Sequence, residues 1–144
     1  MATQPRTRNH RIIGLDPGER RVGVAVSDEL HMIASPVSIV DLKRGGWEQL
    51  DEIIESYDPE LIVVGIPTSM SGREGPQARA ARRFAAEIRE RSGRETHFQD
   101  ERLTSFMAEQ SLIELGKNRK DRKRHLDAVA AALILQGYLD ARRG

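Results

Sequence analysis

The stretch Arg11–Asp28, RIIGLDPGERRVGVAVSD, constrains the chain more than any other. Ile12, Ile13 and Leu15 form a short apolar run of the kind that buried strands show. Asp16 follows where that strand should end. Pro17-Gly18 then breaks the chain, because proline has no amide to donate and glycine tolerates positive φ. Beyond the break, Val22, Val24 and Val26 alternate with Gly23, Ala25 and Ser27, the period of two of a second strand. A carboxylate is thereby set at a strand end beside a glycine turn. Taken alone, Asp16 before Pro-Gly is ordinary turn chemistry; the acids met later in the chain change that reading.

The rest of the chain extends this pair into a layered domain. Asp28–Met32 reads as a hairpin turn, with Asp28 as a turn residue, and Pro36–Val40 as a third strand, so the first three strands form an antiparallel meander. Trp47, Leu50, Ile53, Ile54 and Tyr57 recur at helical spacing up to Asp58-Pro59. Leu61-Ile62-Val63-Val64 is a continuous apolar run, expected to be a central strand buried on both faces. A polar loop follows it, and Pro76–Arg91 reads as a second helix with Ala81, Phe84, Ala85 and Ile88 on its buried stripe. Glu95–Gln99 is a short, weakly apolar strand that delivers Asp100, Glu101 and Arg102. Thr104 or Ser105 would cap a third helix reaching Leu115 before Gly116. The last helix should cover about Lys123–Arg142, apolar all round in its middle, with Asp127 in its first turn. The expected fold is α/β: a mixed five-stranded sheet, three antiparallel strands and then parallel crossovers, flanked by helices.

With 144 residues the chain is sized for one domain, read as residues 11–144 behind a loose basic arm at 1–10. A charged content of 31% describes a wet surface, and the absence of cysteine removes disulfides and thiolate metal sites. No apolar run approaches the length of a membrane span, and the first residues, MATQPRTRNHR, lack the apolar core of a secretory leader. The expectation is a cytoplasmic protein with no membrane partner. The net charge of +1 conceals an uneven distribution. Lys117, Arg119, Lys120, Arg122, Lys123 and Arg124 face Asp121 alone, whereas Asp41–Glu60 is strongly acidic. Such asymmetry suits an anionic partner held on one side.

Ligands of open α/β sheets bind beyond the carboxyl ends of strands. Asp16 lies at one such end and Asp100-Glu101 at another, while Asp127 begins the helix that packs back over the sheet. These acids can converge, and hard oxygen ligands with open positions are what Mg²⁺ or Mn²⁺ prefers. Such ions activate water and steady a leaving oxygen in phosphodiester cleavage. Each acid has a plainer reading: Asp127 offsets a helix N-terminus, and Glu101 pairs with Arg102. Thr68 and Ser69, in the loop before the second helix, suit a phosphate at free helix amides. With aromatic residues at only 4%, base stacking is a minor contribution. Phosphate contacts from Arg21, Lys117, Arg119, Lys120, Arg122, Lys123 and Arg124 should dominate, making binding strongly salt-dependent.

GLDPGERRVGVAVSD, VVGIPTSMSGREG, DERLTS and HLDAVAAALILQGYLD resemble, in order, the motifs of the YqgF (RuvX-like) family of RNase H-like nucleases. The resemblance covers nearly all of the chain after the basic arm. It implies a bacterial cytoplasmic nuclease that processes the 5′ end of pre-16S ribosomal RNA, in a family also described as Holliday junction resolvases by similarity to the RuvC resolvase. It further implies Asp16, Glu101 and Asp127 as metal-binding catalytic acids, with Asp100, Arg102 and Thr104 around them. One departure from the broader RNase H-like pattern stands out. The fourth strand ends in Gly65-Ile66-Pro67 with no acid, so Glu101 must serve from the neighbouring strand. The expected partner is pre-rRNA or a ribosomal precursor, or else branched DNA, and the expected assembly a monomer or weak homodimer. Two competing classes are a nucleic-acid-binding factor without catalysis and an actin-like sugar kinase or ATPase. The latter needs two lobes, and this length supplies one.

Overall fold

The computed structural model describes residues 10–67, 74–101 and 119–143, with side chains in the last segment from residue 128 onward. The elements run β1 (Ile12–Pro17), β2 (Arg21–Ser27), β3 (Ala34–Asp41), α1 (Gly46–Tyr57), β4 (Leu61–Ile66), α2 (Pro76–Ser92), β5 (Thr96–Asp100) and α3 (Arg119–Arg143). The five strands form one sheet in the order β3-β2-β1-β4-β5. β1, β2 and β3 pair antiparallel, and β4 joins β1 and β5 joins β4 in parallel. This is the mixed sheet expected from the order of elements.

Strand alternation sorts the side chains into two cores. Ile13, Leu15, Val22, Val24, Val26, Ile62 and Val64 pack with Leu50 and Ile54 of α1 and Phe84, Ala85 and Ile88 of α2. On the opposite face Ile12, Ala25, Leu61 and Val63 pack with Ala131, Ile134, Leu135 and Leu139 of α3. The described residues therefore form three layers: two helices, the sheet, and one long helix. All six residues of β4 are buried, as a strand covered on both faces requires.

The hairpin between β2 and β3 is closed by Asp28, whose carboxylate accepts from the amides of Met32 (2.7 Å) and Ile33 (3.1 Å). Its reading as a turn residue holds. The strand after it begins two residues earlier than expected, at Ala34, because Pro36 sits beside a bulge opposite Ala25 on an edge strand, where a missing amide costs no ladder bond. β5 is displaced by one residue, to Thr96–Asp100, set by its parallel register Gly65↔Gln99 with β4.

The larger correction concerns the last helix. α3 begins at Arg119, so Asp127 is its ninth residue and not part of its first turn. The basic run continues the helical backbone in place of preceding it, since Arg and Lys are good helix formers and neither Gly nor Pro interrupts them. The reading of Asp127 as a counter-charge to the helix terminus falls with this, because that effect fades within one turn. From Ala128 to Leu139 every residue is buried or half-buried, as an all-round apolar middle demands. The expected helix over residues 103–115 lies outside the described residues.

Candidate active site

Asp16 is the fifth residue of β1 and stands opposite Gly23 of β2. Alternation puts Ile12, Gly14 and Asp16 on the α3 face, with Ile13 and Leu15 turned the other way. The parallel register runs Gly14↔Val63 and Leu15↔Val64, so Gly65 follows beside Asp16. On the far side of β4, Gly65 pairs with Gln99, and the Glu101 amide donates to the carbonyl of Ile66 at 3.2 Å. Three adjacent strands thus end together, and the two acids flank a glycine.

That glycine is why the acids meet. A Cβ on Gly65 would lie 2.9 Å from Oε2 of Glu101 and 2.6 Å from Cδ1 of Ile134 on α3. The carboxylate of Glu101 therefore reaches across the space that a side chain at position 65 would fill. Gly14 plays the matching part beneath the helix, where a Cβ would stand 2.8 Å from Cβ of Leu135 and 3.3 Å from the carbonyl of Ala131. Both glycines let α3 lie close on the strands that carry the site. A glycine inside a β-branched run is the trace that such an approach leaves in a sequence, and position 14 was readable in that way.

Glu101 is half-buried, and its carboxyl is hydrogen-bonded to Asp16. Loss of hydration, that hydrogen bond and the charges of Asp16 and Asp100 together push it from 4.5 up to about 9. In the cation-free protein Glu101 is held in its neutral form beside Asp16, as happens when two crowded carboxyls resist ionising together. Asp100, on the alternate face, is exposed. The alternative partner read from the sequence, Arg102, lies outside the described residues.

Both acids border a cleft of about 510 Å³ that runs over the sheet's end toward α1 and α2, lined also by Trp47, Gln77, Arg83 and Phe84. Among the described residues no group of three Asp, Glu or His could hold a metal ion. The backbone of α3 fixes where Asp127 stands in the helix. Asp127 precedes Ala131 by four residues and Ile134 by seven, and those two meet Gly14 and Gly65. Its side chain lies outside the described residues. Two hard carboxylate groups that share a proton suit a divalent cation, which would replace that proton and remove their mutual repulsion.

Of the expected phosphate contacts, Arg21 is exposed at the first position of β2. Arg119, Lys120, Arg122, Lys123 and Arg124 occupy the first turns of α3, their side chains outside the described residues. Thr68, Ser69, Thr104 and Lys117 lie outside the described residues altogether. Among the described residues no helix is long and apolar enough to cross a membrane.

A family model described as "RuvX: Holliday junction resolvase" matches residues 10–141. A protein of Lactococcus lactis subsp. cremoris (strain MG1363) named "Putative pre-16S rRNA nuclease" is 47% identical over 135 residues, covering 91% of this chain and 94% of that one. A protein of the same name from Geobacillus kaustophilus (strain HTA426) is 44% identical over 137 residues, covering 92% and 99%. Among solved structures, Thermus thermophilus RuvC in complex with a Holliday junction superposes with a TM-score of 0.58 at 17% identity, covering 93% of this chain and 96% of that one. The fowlpox virus resolvase bound to junction DNA gives 0.56 at 12% identity, covering 93% and 99%. These two likenesses are of fold, the RNase H-like arrangement of resolvases. The match across residues 10–141 and the close relatives, covered over almost their whole lengths, place this chain in the RuvX family.

Proposed function

We propose that the protein is a divalent-metal-dependent nuclease that hydrolyses phosphodiester bonds and processes the 5′ end of pre-16S rRNA, in the cytoplasm, as a monomer or weak homodimer. The observation that carries the reading is the meeting of Asp16 and Glu101 at the ends of β1 and β5 over the bare backbone of Gly65. The names borne by relatives at 44% and 47% identity support the substrate.

Asp16, Glu101 and Asp127 would hold Mg²⁺ or Mn²⁺, which supplies Lewis acidity and an activated water when bound. Asp16 would offer the carboxylate oxygens that anchor the site. Glu101, just past the edge strand β5, would give up its proton to serve as the second anionic donor. The cleft beside them receives the scissile strand, with Arg83 and the aromatic residues Trp47 and Phe84 in its lining. The basic first turns of α3 and Arg21 draw in the polyanion by counterion release, so affinity falls steeply with salt.

The test compares precursor 16S rRNA with a four-way DNA junction under Mg²⁺ and Mn²⁺. Asp16→Asn should abolish cleavage of the RNA while leaving its binding within about threefold, since one carboxylate adds little to phosphate affinity. Full metal-dependent cleavage by that variant sinks the proposal. Cleavage of the junction alone would move the reading to a resolvase, the activity that the family model's description names. Binding with no cleavage by the parent protein under either metal would leave a non-catalytic factor.

A further inference from the structure

A second concavity lies on the α3 side of the sheet's other edge. It holds about 630 Å³ and is lined by Arg21, Ser38, Ile39, Asp41, Arg44 and Ala128 among the described residues. Its relation to the acids follows from register. Asp16 pairs with Gly23, and Arg21 stands two residues before Gly23 in β2, on the same face by alternation. The two Cα atoms are thus one strand spacing and two residues apart, roughly 8 Å. Gly23, between them on that face, has no side chain to bar the way. Arg21 in turn pairs with Asp41 of β3, which leads to Arg44 in the turn where its amide donates to the carbonyl of Asp41 at 2.9 Å.

The charges are sorted for an anion. Asp41, the acid lining this groove, is engaged: Nε of Arg20 donates to it at 2.8 Å and the Lys43 amide at 3.0 Å. Among the described residues no acid hydrogen-bonds with Arg21 or Arg44 or comes within salt-bridge distance of them, the longer-range attraction between Arg44 and Asp41 aside, and both arginines are exposed. Pro36, Val37 and Ile39 also line the groove, so it offers hydrocarbon alongside its two arginines. That is the pattern which takes a single nucleic-acid strand, phosphates to the arginines and sugars or bases to the apolar lining.

We propose that this groove along β3 carries the single strand on one side of the scissile bond, with Arg21 and Arg44 each neutralising one phosphate. The proposal deepens the nuclease reading and rests on it for the identity of the reacting phosphate. Arg21 and Arg44 are positioning residues: they fix where the strand lies relative to Asp16 and take no part in the chemistry.

The experiment measures binding of a fluorescein-labelled 20-nucleotide single-stranded RNA by anisotropy across a KCl series, in an Asp16→Asn background so that no cleavage intervenes. Arg21→Ala and Arg44→Ala should each lower the slope of log K against log salt by about 0.7 and weaken binding about fourfold at 0.15 M salt, and the pair about fifteenfold. Arg21→Lys and Arg44→Lys should restore the slope, since a lysine keeps the point charge. Arg91→Ala, on α2 and paired with Asp51, should change neither quantity. A double alanine variant with the parental slope and affinity overturns the proposal, as does an equal loss in Arg91→Ala. Because the readout is binding, the two readings fail separately. Cleavage by the parent with an unchanged slope removes the groove alone, whereas a lost slope in a protein that cleaves nothing leaves the groove and removes the nuclease.

Discussion

The carboxyl of Glu101 is costly where it stands, and the cost has a sign. Its native pKa of about 9 exceeds the ordinary 4.5, so as pH rises the unfolded chain releases this proton first. Between those values the native state binds more protons, and the cation-free protein must lose stability as pH climbs through that window. The stabilising contribution is complete below 4.5 and gone above 9. Glu101→Gln keeps the hydrogen-bond donor and cannot ionise. We expect it to raise stability at pH 8, without divalent metal, by about 2 kcal/mol, several degrees in a thermal melt. The same variant should lose cleavage. A melt at pH 8 that places the variant at or below the parent would show that the two carboxyls do not burden each other.

At the scale of elements, the two glycines under α3 separate packing from positioning. An alanine at 14 presses its Cβ on Cβ of Leu135 and the carbonyl of Ala131, neither of which can yield without moving the helix. Gly14→Ala should cost about 1–3 kcal/mol, seen as a lowered midpoint in urea. An alanine at 65 meets only the far ends of Ile134 and Glu101, which can turn aside. Gly65→Ala should cost less than about 1 kcal/mol and yet reduce cleavage by about 10²-fold, because Glu101 is displaced from Asp16. If activity survives in Gly65→Ala, the position of Glu101 is unimportant. Much of this scale was legible beforehand. The period of two in Val22–Ser27 and the runs at Ile12 and Leu61 announced the strands because burial leaves that pattern. The start of α3 was not legible, since a run of arginine and lysine has the same composition in a solvated loop as in a helix; only the packing of residues 128–139 extends the helix back through it.

Across the whole molecule, the sheet gathers residues that are 85 positions apart in sequence at one end, and there a cation should act as a ligand of the folded state. Mg²⁺ or Mn²⁺ at about 100 times its dissociation constant should stabilise the parent by about 2.7 kcal/mol, through mass action on the native form alone. The gain should vanish in Asp16→Asn and on chelation; an equal gain in parent and variant would place the ion elsewhere. The sequence carried the identity of the acids, but their meeting depended on registers that only strand pairing settles: Gly65↔Gln99 brings Glu101 level with Asp16, and a slip of one residue would turn it to the opposite face. β5 is an edge strand, half-exposed, paired only with β4 among the described residues and tied to α3 by the 2.6 Å contact between Nδ1 of His97 and the Tyr138 hydroxyl. One member of the acid pair is thus anchored in the interior and the other on the rim. Fraying at that margin would dismantle the pair long before the domain melts, and amide exchange along Thr96–Glu101 would record how often the nuclease is folded yet unarmed.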